Sequence, residues 1–272
     1  MADREFREDE YLKEDGLPYC KKCNTSRGSW FDGYVFYHMC KCQQEKFASE
    51  REAEERAKRR EQVERLRQKS ELGKFFYNCT FEKATITENN RQVYETCKRY
   101  CEKSQDMLRG GYGMYVYGSP GVGKTHLIAC MGNALAEKLH TVLFTSFIKL
   151  ENELKANFGY NDMQERILYE TEKVDFLFLD DLGTENIKEG ANTWFQSIVF
   201  DVINRRYNAK KPTICTSNYT LADLCNKIHY EERTVHRLKE MCSYYTQLDC
   251  EIMRDAIAER KRNTMKKLLG GN

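Results

Sequence analysis

The chain has 272 residues, 40% hydrophobic and 32% charged, with 44 basic and 42 acidic residues for a net charge of +2. This supports one large domain or two ordinary ones with a real core, and it excludes a bulk polycation. No apolar run reaches 18 residues and MADREFREDEYLKEDG has no apolar signal region, so a cytoplasmic protein is expected. Three prolines argue against a loop-rich or sandwich fold.

Residues 1–42 carry four clustered cysteines and many aromatics. Cys20 and Cys23 form one close pair and Cys40 and Cys42 another, with sixteen residues between the pairs. Two close pairs of this kind predict a zinc ribbon or knuckle, each pair supplying two thiolates to a tetrahedral Zn²⁺. His38 is an alternative fourth ligand. A segment this short has too little core to fold unaided, and a structural metal would compensate. Trp30, Phe31, Tyr34, Phe36 and Tyr37 are either its small core or a contact surface. In a reducing compartment a disulfide framework is not expected, and the eight scattered cysteines read as small buried hydrophobes.

Residues 43–72 contain no Pro and, before Gly73, no Gly; over half of QQEKFASEREAEERAKRREQVERLRQKS is charged. Glu52 and Arg56, Glu54 and Lys58, Glu55 and Arg59, and Glu61 and Arg65 stand four apart, so the spacing predicts a solvated charged helix about 40 Å long. It reads as a semi-rigid arm without the apolar stripe of a coiled coil.

From residue 73 to 272 strands alternate with amphipathic helices, which implies a parallel sheet covered on both faces. Strands are expected at 114–118, 142–147, 174–181, 212–218 and 244–249, and helices at 125–139, 148–158 and 191–207. VDFLFLDD has the nearly unbroken apolar run of a strand buried on both sides.

Gly118, Ser119, Pro120, Gly121, Val122, Gly123, Lys124 and Thr125 match the phosphate-loop pattern, between a strand and a helix. Its glycines let backbone N–H groups approach phosphates, and the helix N-terminus favours the anion. Lys124 reaches the terminal phosphates, Thr125 ligates Mg²⁺, and His126 completes the ATP-binding stretch. Asp180 at the end of the apolar strand is the second Mg²⁺ residue. Asp181 is the candidate for positioning the attacking water, with Glu185 a weaker one. Asn218, ending the strand PTICTSN, is placed to touch the γ-phosphate or that water.

GSPGVGKTHL, FLFLDDLGTE, FDVINRRYNAKKPTICTSN and ERTVHRL together resemble the AAA+ ATPases of the DnaC/DnaI helicase-loader group, which includes IstB-type transposition helpers and many phage loaders. The resemblance covers roughly residues 73–255. It implies a five-stranded sheet in the order 5-1-4-3-2, ATP hydrolysis and self-assembly through the ATPase domain. It also implies that Arg233 or Arg237, more so Arg237, serves as an arginine finger for a neighbouring subunit, and that Arg254 is a sensor arginine. Arg205 and Arg206 are further candidates for an interface. The family's partners would be a DnaB-type replicative helicase, docked by the cysteine-rich segment, and single-stranded DNA. Lys149, Lys155 and the basic tail 254–269 are candidates for the DNA contact. The expected function is ATP-dependent loading of the helicase, with an IstB-type transposition helper as the alternative.

Overall fold

The computed structural model describes residues 7–70, 77–185, 193–250 and 253–269. The chain divides into two compact units, residues 1–61 and 62–272.

The first unit holds two hairpins. Strands β1 (Glu10–Leu12) and β2 (Pro18–Cys20) pair antiparallel, as do β3 (Gly28–Phe31) and β4 (Tyr34–Tyr37). The second hairpin turns on Asp32 and Gly33, both at positive φ (48° and 79°), the geometry of a tight two-residue turn. Helix α1 (Lys41–Lys69) follows, its exposed face carrying i,i+4 pairs such as Lys46–Glu50 and Arg51–Glu55. Its last turns differ from a wholly solvated arm. Val63 and Leu66 are buried, and Leu66 belongs to the core of the second unit. Arg67 bonds Asn133 and Lys69 pairs with Glu170.

The second unit is a parallel sheet of β5 (Met114–Tyr117), β6 (Val142–Thr145), β7 (Phe176–Leu182), β8 (Thr213–Ser217) and β9 (Tyr244–Gln247). Its order is β6-β7-β8-β5-β9. Counted from β5 as first, that is 2-3-4-1-5, the expected order read from the other edge.

Helices α2 (Glu88–Glu102), α3 (Ser104–Gly110) and α4 (Lys124–Glu137) precede β6. Helices α5 (Phe147–Ala156) and α6 (Asn161–Lys173) lead to β7, α7 (Thr193–Asn208) to β8, and α8 (Leu221–Asn226) and α9 (Glu232–Met241) to β9. A terminal helix α10 spans Met253–Leu268. Phe176, Leu177, Phe178 and Leu179 are fully buried and alternate between two cores. One packs α5, α7 and α9 against the sheet, the other α2 and α4. Parallel strands need both faces covered, so the unbroken apolar run of β7 follows. Cys97, Cys101, Cys215 and Cys242 fill these cores as small hydrophobes, Cys130 packs with Cys79 and Ala129 in a smaller cluster, and burial pushes the Cys97 and Cys130 thiols up to about 12.

Arg206 was a candidate for an interface, but it is completely buried. Its guanidinium donates to the backbone carbonyls of Thr171, Glu172, Val174, Asp175 and Pro212. It thereby ties the residues before β7 to the residue before β8. Arg205 is held on the surface by Glu165 at 2.6 Å and Asp201 at 3.0 Å.

Candidate functional site

The C-terminal ends of β5, β7 and β8 bring the sequence candidates together. The loop 118–123 leaves β5 and enters α4, with Gly121 and Gly123 at φ 87° and 97°, a region that side chains disfavour. Lys124 is the first residue of α4 and is buried. Its Nζ donates to Gly118 O (2.9 Å), Ser119 O (3.0 Å) and Asn218 Oδ1 (2.7 Å). The ammonium is thus held inside the curl of the loop, bridged to the end of β8.

Beside it, Thr125 Oγ1 donates to Asp180 Oδ2 at 2.9 Å. The Thr216 hydroxyl donates to the same carboxylate and accepts from the Asp181 N–H at 2.9 Å. Sequence reasoning missed Thr216. Its signal is a polar side chain in a strand buried on both faces. The strand β7 ends in a register irregularity between Leu179 and Leu182, and Asp181 takes φ 54° there. Asp tolerates this left-handed conformation better than most residues, because its short side chain bonds locally. The donor set fits a magnesium nucleotide. A buried ammonium and the N–H groups at the start of α4 suit phosphate oxygens. The Thr125 hydroxyl and Asp180 carboxylate are hard oxygen ligands for Mg²⁺.

His126 faces a different neighbour. Its Nδ1 lies 3.2 Å from the Tyr94 hydroxyl of α2, and burial lowers its pKa. Glu185, the weaker candidate base, is also committed elsewhere. Its Oε2 accepts from the Gly183 N–H (2.7 Å) and the buried Tyr230 hydroxyl (2.9 Å). Arg233 and Arg237 stand apart from the loop on α9, stacked over Phe200 of α7 at 4.0 and 4.5 Å. Arg233 pairs with Glu231, whereas Arg237 has no carboxylate partner and its buried Nη1 has no acceptor among the described residues. The Arg254 side chain lies outside the described residues. Lys155 pairs with Glu151 at 2.7 Å, and Lys149 donates to Lys69 O.

In the first unit the four cysteine sulfurs lie within 4.8 Å of one another, with Cys20–Cys42 at 3.6 Å and Cys40–Cys42 at 3.4 Å. Zn–S bonds of about 2.3 Å set the edges of a tetrahedron at about 3.8 Å, so this group fits zinc. Cys20 ends β2, and Cys40 and Cys42 lie at the start of α1. The Thr25 hydroxyl beside Cys23 lowers its thiol to about 5, while the crowded thiols push Cys42 up to about 12. Four sulfurs this close cannot all carry charge without a cation. His38 is exposed and lies outside the cluster. Arg27, which the spacing did not reveal, is 3% exposed, forks onto Asp9, bonds Glu10 and approaches Cys20 Sγ at 3.5 Å. The aromatics are surface rather than core: Phe31, Tyr34 and Phe36 share one face of the second hairpin and are 69, 71 and 56% exposed.

No helix among the described residues is long and apolar enough to cross a membrane. The replicative helicase loader DnaC of Buchnera aphidicola subsp. Schizaphis graminum is 25% identical over 181 residues, 65% of this chain and 70% of that protein. The phage-like element PBSX protein XkdC of Bacillus subtilis strain 168 is 28% identical over 249 residues, 87% of this chain and 85% of that one. A crystal structure of the DnaC helicase loader superposes with a TM-score of 0.56 at 26% identity, over 65% of this chain and 100% of that chain. The crystal structure of DnaI, at 21% identity and a TM-score of 0.53, shares the fold. The five-stranded parallel sheet with its phosphate loop is thus an AAA+ fold. Residues 44–237 match the IstB-like ATP binding proteins, and the chain belongs to that family.

Proposed function

We propose that this protein is an ATPase that loads a DnaB-type replicative helicase onto single-stranded DNA. What carries the reading is the pairing, in one chain, of a helicase-loader-like P-loop sheet with a tetracysteine unit that presents an exposed aromatic hairpin. In this reading Lys124 and the first N–H groups of α4 hold the β- and γ-phosphates of ATP. Thr125 and Asp180 hold Mg²⁺, and Thr216 keeps the Asp180 carboxylate in one orientation. The metal would neutralise charge on the phosphates. Asp181 takes a proton from the attacking water, with Asn218 beside Lys124 to orient it.

Arg237 is supplied to the ATP of a neighbouring subunit, because on its own chain it lies on α9, where it has no anionic partner among the described residues. An arginine brought in this way makes hydrolysis depend on assembly. Zn²⁺ on Cys20, Cys23, Cys40 and Cys42 holds the first unit, and Phe31, Tyr34 and Phe36 dock the helicase in the cytoplasm. Exposed aromatics of this size are common anchors at protein interfaces. The exposed Phe158 and Tyr160, after α5, offer stacking surfaces for DNA bases. The family match favours a second reading, a transposition helper, which would use the same ATPase machinery.

The test is capture of the host's replicative helicase by the full-length protein and by its F31S/Y34S/F36S variant. Capture by the wild type alone, with ATP binding equal in both, is expected. Failure of the wild type to capture helicase, with capture of a transposase instead, would overturn the loader reading.

A further inference from the structure

A buried carboxyl links the end of β7 to the helix that carries the arginines. Glu185 is 7% exposed and Tyr230 3% exposed. Burial raises the pKa of Glu185, and its Oε1 has no partner among the described residues. Burying a carboxyl is costly, and this one is held for two bonds from Oε2, to Gly183 N–H and Tyr230 Oη. The turn that presents it is tightly built. The Thr184 N–H and hydroxyl both donate to Asp181 O, at 3.2 and 2.8 Å. Gly183 has φ 90°, and a Cβ there would lie 2.8 Å from Tyr219 and 2.9 Å from Leu224. At the far end, Tyr230 immediately precedes Glu231, the N-cap of α9. The hydrogen bonds therefore run from Asp181, beside the Mg²⁺ residue Asp180, to the start of the helix that bears Arg233 and Arg237.

We infer that Glu185 is a positioning residue for α9: through Tyr230 it sets where Arg237 is presented to the ATP of the neighbouring subunit. The inference rests on the arginine-finger reading above. Glu185 touches no phosphate in this scheme. It acts on the neighbour's ATP, unlike Asp181, which acts on its own subunit's.

Mixed assemblies separate the two possibilities. A K124A subunit binds no ATP but still offers its arginine, whereas an R237A subunit binds ATP and offers none. Mixing these two should restore hydrolysis above either alone. No restoration would overturn the finger reading, and this inference with it. Given restoration, E185A should behave as R237A does. Alone it should lose about tenfold to a hundredfold in kcat, the scale of an ångström-sized misplacement, with ATP affinity changed less than about twofold. It should regain activity when mixed with K124A and not when mixed with R237A. The opposite pattern, gain with R237A only, would show that Glu185 serves its own subunit's ATP and would refute the inference. E185Q keeps an oxygen acceptor for both donors and should retain activity. Y230F removes only the hydroxyl and should repeat the E185A pattern, so the test survives if E185A does not fold.

Discussion

Replacing Arg206 with Met tests the most demanding claim about this sheet, that one buried guanidinium fixes the ends of two strands. Arg206 is 0% exposed, and five backbone carbonyls accept from it. Its Nε also donates to Thr213 Oγ1 at 3.3 Å. Hydrogen bonds to a charged group contribute about 1.5–3 kcal/mol each, so a simple sum would exceed the stability of most domains. Two effects reduce it. Met brings no charge, so the desolvation that pushes the Arg206 pKa down to about 9 is relieved. Water also reaches some of the freed carbonyls. A net loss of about 3–5 kcal/mol follows, as for a broken buried ionic network. With a urea m-value of about 2–3 kcal/mol/M, R206M should lower the midpoint by about 1–2.5 M at unchanged m. R206K should lose nearly as much, because one ammonium cannot span carbonyls before both β7 and β8. A midpoint shift below about 0.4 M in R206M would refute the reasoning. Because β7 carries Asp180 and β8 leads directly into Asn218, the variant should also bind ATP more weakly near its unfolding midpoint.

Two further outcomes are expected. The purified chain should carry one zinc, and its removal by chelator, or C40S, should abolish the near-UV signal of the first unit's aromatics while ATP binding persists. A zinc-free chain with that signal intact would exclude a structural metal there. K124A should lose ATP binding, while D180N should bind ATP and hydrolyse it at least about a hundredfold more slowly; equal hydrolysis would remove Asp180 from the Mg²⁺ site.

Much of this protein is legible because its chemistry is local in the chain. The phosphate loop needs eight consecutive residues between a strand and a helix, and Gly118–Thr125 is such a run. The apolar run Phe176–Leu179 announces a strand covered on both faces, and two close cysteine pairs announce a metal-sized cluster. Resemblance supplied the strand order, which no local pattern contains.

What only the tertiary structure decided is which polar groups meet across distant segments. Arg205 and Arg206 are adjacent and chemically identical, yet one lies in a surface ion-pair cluster and the other in the core. The helix turns each by about 100°, and only packing shows which direction is inside. Thr216 on Asp180, Arg27 beside Cys20 and Glu185 on Tyr230 are likewise contacts over 7 to 45 residues of separation. Val63 and Leu66 are two apolar residues in a charged helix, too few to mark a stripe, and their burial depends on a sheet formed much later in the chain. Residue type and spacing specified the chemistry available to this chain; the folded packing assigned partners, because burial and hydrogen bonding between remote segments exist only once the core has formed.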